Sequence, residues 1–273
     1  MLKVCLSSSR AFKRTSRRIA CIGALALLLS ACGGGISFLP EDGSGEGARP
    51  GAGNEHFTDL HPSAFAIHGI DVSRYQGDID WRAVKPSGVK FAWIKATEGG
   101  DHLDPKFVEN WNGAKAAGVP RGAYHFVHWC RPHHEEIDWF KRNVPVDPSA
   151  LPPVLDVEAT PTSKNCKRVL HRPEVLAEMR EMLADMERHY GKKPVIYVTV
   201  DFYEHIMHPN DFKDYPVWVR STKYAPHVHY PGRRWTFWQY QSDARLPGMR
   251  GKIDRNAFYG TRAHWDLWLA GKL

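Results

Sequence analysis

The chain has 273 residues, 42% hydrophobic and 25% charged, an ordinary globular composition that excludes disorder or a fibrous repeat for most of its length. Its formal charge of +7 does not point to nucleic acid. Lys3, Arg10, Lys13, Arg14, Arg17 and Arg18 supply six positives, residues 1–31 hold no acid, and the remainder carries 31 basic against 30 acidic residues.

In chain order, the first segment reads as an export signal. Residues 1–18 are basic and Ser-rich, and residues 19–31 (IACIGALALLLSA) are apolar but too short to span a bilayer comfortably. Leu29-Ser30-Ala31-Cys32 resembles the lipobox of bacterial lipoproteins, so Cys32 is the expected lipidated first residue of a mature chain facing the periplasm or the cell exterior. Ordinary signal cleavage nearby and a retained N-terminal anchor are the alternatives. Gly33, rather than Asp, follows the Cys, which in a Gram-negative host points to the outer membrane. Residues 32–65 are rich in Gly, Pro and small polar residues and are expected to form a flexible tether, leaving 66–273 as the folded domain.

With Cys5 and Cys21 in the signal and Cys32 assigned to lipid, Cys130 and Cys166 remain as an even pair in an exported chain. A disulfide is expected, worth about 4 kcal/mol by loop-closure entropy; two free thiols are the alternative.

Beyond the tether, β-rich runs recur with helical stretches between several of them: AIHGIDV, KFAWIKA, RGAYHFV, PPVLDVE, PVIYVT, YPVWVR and WTFWQYQ. The clearest helix is 173–190, with Pro173 in its first turn, Leu176, Met179, Leu183, Met186 and Tyr190 at three- and four-residue steps, and Gly191 as its stop. Further helices are expected at 105–117 and 133–142. The alternation predicts an α/β fold with a largely parallel sheet. Its later connections are too short for full helices, so the expectation is an irregular (β/α) TIM-like barrel with fewer than eight complete β/α units.

Nearly every strand ends in polar or aromatic groups: Asp71, Lys95, Tyr124 and His125, Asp156 and Glu158, then Tyr197, Trp218, Trp238 and Gln239. In a parallel barrel these ends share one rim and surround one cleft. Asp156 and Glu158 lie two apart on an extended strand and leave the same face. A carboxyl kept protonated by an ionised neighbour and partial burial is what protonation of a glycosidic oxygen requires, and Glu158, with the longer reach, is the expected acid. Asp71 on the first strand and Asp254 on the last are brought together by barrel closure. Taken singly, each of these carboxylates also fits a solvated strand end, a turn or a helix cap.

HGIDVSRYQGDIDW, FAWIKATEG, GAYHF, LPPVLDVE, VIYVT, FWQYQ and GKIDRNAF occur in the order found in glycoside hydrolase family 25, which the chain resembles over residues 67–260. The resemblance implies a lysozyme, an N-acetylmuramidase that cleaves the β-1,4 bond between N-acetylmuramic acid and N-acetylglucosamine in peptidoglycan, acting as a monomer without metal or organic cofactor. By motif match Glu158 takes the general-acid position, Asp156 is its DxE partner, and Asp71 and Asp254 are the aspartates of the first and last strands. Retention is implied; whether an Asp attacks directly or orients the substrate's own acetamido group stays open.

Tyr75, Tyr124, Tyr197, Trp218, Trp238 and Tyr240 are candidates for stacking on sugar faces. Trp238 and Tyr240 share one strand face, and Trp235, Phe237 and Gln239 the other; the expectation is that Trp238 and Tyr240 point inward. Where the family pattern commonly reads WxA, this chain reads VWVRSTKY, so Arg220 is expected to alter a subsite.

Two rivals remain in view. A zinc hydrolase would draw on His133, His134, Glu135, His205, His208, His227 and His229, but no HExxH is present. A non-catalytic peptidoglycan-binding lipoprotein would use the aromatic cleft without hydrolysis, and the intact DxE speaks against it.

Overall fold

The computed structural model describes residues 60–159, 164 and 166–272. The expected signal, Cys32 and the tether up to residue 59 lie outside the described residues. At its end the tether reading needs correction. Pro62–Ala64 forms a 3-10 turn, and Phe65 is buried with its ring centroid 5.6 Å from Trp235 and 6.3 Å from Trp238. One apolar anchor after a Gly/Pro-rich run has no periodicity to reveal it, yet it seats the chain on the domain.

Nine strands form one sheet: β1 (His68–Val72), β2 (Phe91–Glu98), β3 (His102–Leu103), β4 (Arg121–Phe126), β5 (Val154–Val157), β6 (Val195–Val198), β7 (Val217–Arg220), β8 (Phe237–Ala244) and β9 (Ile253–Phe258). The order β1-β9-β8-β7-β6-β5-β4-β2 closes through pairing of β1 with β2, and β3 folds back on β2 outside the ring. The result is an eight-stranded barrel whose neighbours are parallel except at β9, which runs antiparallel to both β8 and β1.

The helices are α1 (Trp81–Val84), α2 (Phe107–Ala116), α3 (His133–Asn143), α4 (Arg172–Tyr190), α5 (Val200–His205), α6 (Pro226–His229) and α7 (Arg262–Leu269). The long α4 buries Val175, Leu176, Met179, Met182, Leu183 and Met186 and stops at Gly191, whose φ of 64° is the left-handed cap. Crossovers shorten toward the C-terminus: α5 has six residues and α6 four. Between β8 and β9 only residues 245–252 remain, too few for the crossover that a parallel partner needs, so β9 returns antiparallel.

Alternate side chains along each strand enter the barrel. Phe91, Trp93, Val154, Val195, Trp218, Phe237 and Phe258 form an interior cluster that Trp265 and Trp268 of α7 join. Gly69 and Gly122 make room for it. A Cβ at Gly69 would stand 2.5 Å from the Phe91 ring, and one at Gly122 would stand 2.2 Å from the Trp93 ring. The opposite faces, including Ile94, Leu155, Ile196, Val219 and Trp238, pack with helix residues such as Val175, Met179 and Leu183.

Candidate active site

At the end of the barrel opposite α7, a cavity of about 270 Å³ is lined by the strand ends and the loops that follow them. Asp71, Tyr75, Lys95, Tyr124, Asp156, Glu158, Tyr197, Trp218 and Asp254 all line it, so residues spread over more than 180 positions of sequence meet in one place. Asp254 arrives by a route other than the one its sequence suggests. The antiparallel β9 delivers its beginning to this rim, and the register sets Asp254 beside Asp71.

Asp71 is the most closely held of the four carboxylates. Its Oδ2 accepts from Gln239 Nε2 at 2.9 Å and from Asn256 Nδ2 at 2.8 Å. Each amide is oriented in turn: Tyr197 O–H donates to Gln239 Oε1 at 3.0 Å, and Trp218 Nε1–H donates to Asn256 Oδ1 at 2.8 Å. An indole nitrogen only donates, so Asn256 must present its NH2 to Asp71, and the unprotonated oxygen of Asp71 is Oδ2. Burial, followed by the charge of Asp254, pushes the Asp71 carboxyl well above its usual range.

Burial likewise raises Asp156, and the adjacent Glu158 raises it further while Lys95 opposes. Its Oδ1 is buried and has no hydrogen-bond partner among the described residues. Glu158 is raised mainly by burial, against the pull of Arg220. Burial pushes Asp254 up to about 6, again opposed by Arg220. Lys95 pairs with Glu98 at 2.7 Å. The pairing follows from the register shift of β2 between Lys95 and Thr97, which returns Glu98 to the face of Lys95.

The first loop is built locally. Ser73 caps the 3-10 turn Arg74–Gln76, accepting from Tyr75 N–H while its own N–H donates to Gln76 Oε1 at 2.8 Å. Gln76 Nε2 donates to Lys252 O at 3.0 Å, tying this loop to the entrance of β9. Tyr75 is left 77% exposed at the cavity edge, with the Arg74 guanidinium 5.1 Å from its ring centroid.

Three expected binding residues lie elsewhere. Tyr124 and His125 are adjacent on β4 and face opposite ways: Tyr124 enters the cavity, while His125 is fully buried behind the sheet, 2.7 Å from Thr97 Oγ1 and 3.0 Å from Glu136 Oε2. Trp238 and Tyr240 also point away from the cavity. Trp238 donates to Ser221 O at 2.8 Å, and Tyr240 O–H lies 3.0 Å from His68 Nδ1. Gln239 and Phe237 hold the interior face of β8, because a polar amide at this level has Asp71 and Tyr197 as partners and the smaller Gln leaves the cavity open. Asn256 escaped the sequence reading, although its spacing of two from Asp254 carries the same-face signal that pairs Asp156 with Glu158.

Cys130 and Cys166 form a disulfide with a Cα–Cα distance of 5.5 Å, joining the segments after β4 and β5 on the cavity side. Among the described residues no group of three His, Cys, Asp or Glu side chains is placed to hold a metal, and His133 lies 2.7 Å from Glu181. No helix among the described residues is long and apolar enough to cross a membrane.

Comparison with known proteins places this geometry in context. The sequence model of glycosyl hydrolases family 25 matches residues 70–249. Lysozyme M1 of Streptomyces globisporus is 35% identical over 227 residues, covering 78% of this chain and 74% of that protein. The uncharacterized protein YegX of Escherichia coli strain K12 is 36% identical over 215 residues, covering 77% and 76%. The solved structure of a family 25 glycosyl hydrolase from Bacillus anthracis aligns with a TM-score of 0.69 at 35% identity, covering 79% of this chain and 98% of that one.

Proposed function

The chain belongs to glycosyl hydrolase family 25, and from that premise we propose that it is an exported N-acetylmuramidase hydrolysing the β-1,4 bond between N-acetylmuramic acid and N-acetylglucosamine in peptidoglycan. The observation that carries this reading is Glu158, a carboxyl raised by burial in a cavity that three further carboxylates share. A carboxyl that holds its proton more tightly than in water is suited to give it to the glycosidic oxygen as the C–O bond breaks.

Positive charge then develops at the anomeric carbon, facing the oriented Oδ2 of Asp71 and the carboxylate of Asp254. For the second bond the substrate-assisted route is favoured by the unpartnered Oδ1 of Asp156. Accepting the N–H of the 2-acetamido group, it would turn the carbonyl oxygen onto the anomeric carbon. Glu158, now ionised, would take a proton from the water that opens the resulting ring, so the anomeric configuration is retained. The residues of the site hold and move every proton in this scheme without a cofactor. Tyr75, with its exposed ring, and Trp218, Tyr124 and Tyr197, at the wall, are the residues proposed to contact sugars.

Export and lipidation at Cys32 rest on the N-terminal sequence alone, and Cys32→Ser is expected to move the protein from the detergent phase to the aqueous phase. The test of the activity is mass spectrometry of products released from purified peptidoglycan by the wild type and by Glu158→Gln, each with and without chelator. Reducing-end muramic acid released by the wild type, insensitive to chelator and lost in the variant, supports the muramidase. Wall binding without release favours a binding lipoprotein.

A further inference from the structure

Two cations line the catalytic cavity, and they differ in how they are used. Lys95 is held by Glu98 at 2.7 Å. Arg220 is half-buried at the end of β7, on the interior face it shares with Trp218, and no described carboxylate comes within ion-pair distance of its guanidinium. A guanidinium stays charged in any protein environment and is shaped to take a carboxylate through two parallel N–H donors. If its purpose were to neutralise the catalytic carboxylates, the fork would rest on Glu158 or Asp254, whose charges it does feel. It pairs with neither among the described residues. The cavity therefore holds a positive group with open donors.

The bond cleaved by a muramidase is the muramic residue's own anomeric bond, so that residue must occupy the cavity with Glu158. Its 3-O-lactyl group ends in a carboxyl, which is an amide where a stem peptide is attached and a free anion where the stem has been removed. We propose that Arg220 is a specificity-determining residue that binds the free lactyl carboxylate and directs the enzyme toward glycan strands stripped of their stem peptides. The inference rests on the muramidase reading above. It also places the enzyme after a reaction that hydrolyses the lactyl–peptide amide, since that class of reaction supplies the anion.

The test is steady-state hydrolysis by the full chain of two glycans from one preparation, one bearing stem peptides and one stripped of them, with wild type, Arg220→Gln, Arg220→Ala and Arg220→Lys. The expected result is that the wild type prefers the stripped strand. The Gln and Ala variants raise KM on it by about 10- to 100-fold, the loss of a charge-assisted pair, and raise KM on the stem-bearing strand far less. Because the Arg220 charge also acts on Glu158 and Asp254, any change in kcat is shared by both glycans and the ratio of KM values is the readout. Lys restores part of the difference. Equal losses on both glycans in Gln and Ala, or a fall in kcat alone, overturn the assignment while leaving the muramidase intact. Release of no reducing muramic ends by the wild type from either glycan overturns both. Gln and Lys keep a long polar side chain at the site, so the outcome does not depend on whether the Ala variant folds.

Discussion

The two ends of the barrel interior are made by the same strands and do opposite things. At the α7 end Phe91, Phe237 and Phe258 meet Trp265 at centroid distances of 5.3, 6.5 and 5.1 Å, and the contacts are ring against ring. Two or more residues further along the barrel strands, the interior positions hold Lys95, Asp156, Gln239 and Asp71, with carboxyls raised by burial and an acceptor without a partner among the described residues. The comparison teaches that the aromatic end holds the ring of strands closed so that the polar end can tolerate groups whose burial costs stability.

Substitutions that act on one end only would sharpen this contrast, and any that acted on both would break it. The largest expected effect is at Glu158. Replacement by Gln should lower kcat/KM by about 10²- to 10⁴-fold with the melting temperature unchanged or raised, since an ionisable group leaves a buried site. Trp265→Ala at the other end should cost about 3–5 kcal/mol in urea unfolding, with kcat of the folded enzyme unchanged. A matching fall in kcat would show that the ends are coupled.

Joint Cys130→Ser and Cys166→Ser substitution should cost about 2–4 kcal/mol, the loop-closure contribution of a bridge with a sequence separation of 36. Hydrogen exchange should then quicken in the loops after β4 and β5 and stay unchanged in β9 and α7.

The smallest effect is expected at Asp254, whose carboxyl titrates at about 6 in the fold against 3.8 without it. Because the folded form binds its proton more tightly, stability falls as pH rises from about 4 through 6. Asp254→Asn should therefore be more stable than wild type by on the order of 1–3 kcal/mol at pH 8 and no more stable at pH 4. Its activity profile should also move: the negative charge of Asp254 helps raise Glu158, so its removal shifts the alkaline limb to lower pH.

Much of this was legible without coordinates. Helix α4 follows from its apolar spacing and its Pro and Gly boundaries, and the DxE pair follows from period-two alternation on one strand. The same rule failed at β8. Alternation separates Trp238 and Tyr240 from Trp235, Phe237 and Gln239 but does not say which set faces inward, and the inward face is the one with Phe237 and Gln239 rather than the expected Trp238 and Tyr240. At β4 the adjacent Tyr124 and His125 cannot share a face, and only Tyr124 reaches the cleft where both are expected.

The sequence by itself determined the alternation of strands and helices, the candidate carboxylates, the family resemblance and the pair of cysteines available to bond, because each is written in local spacing or residue identity. Only the tertiary structure decided which strand faces look inward, that β9 reverses and so sets Asp254 beside Asp71, that Gln239 and Asn256 orient the Asp71 carboxylate, and that no described carboxylate pairs with Arg220 in the cavity. These depend on barrel closure, a condition on all eight strands at once that no window of sequence contains.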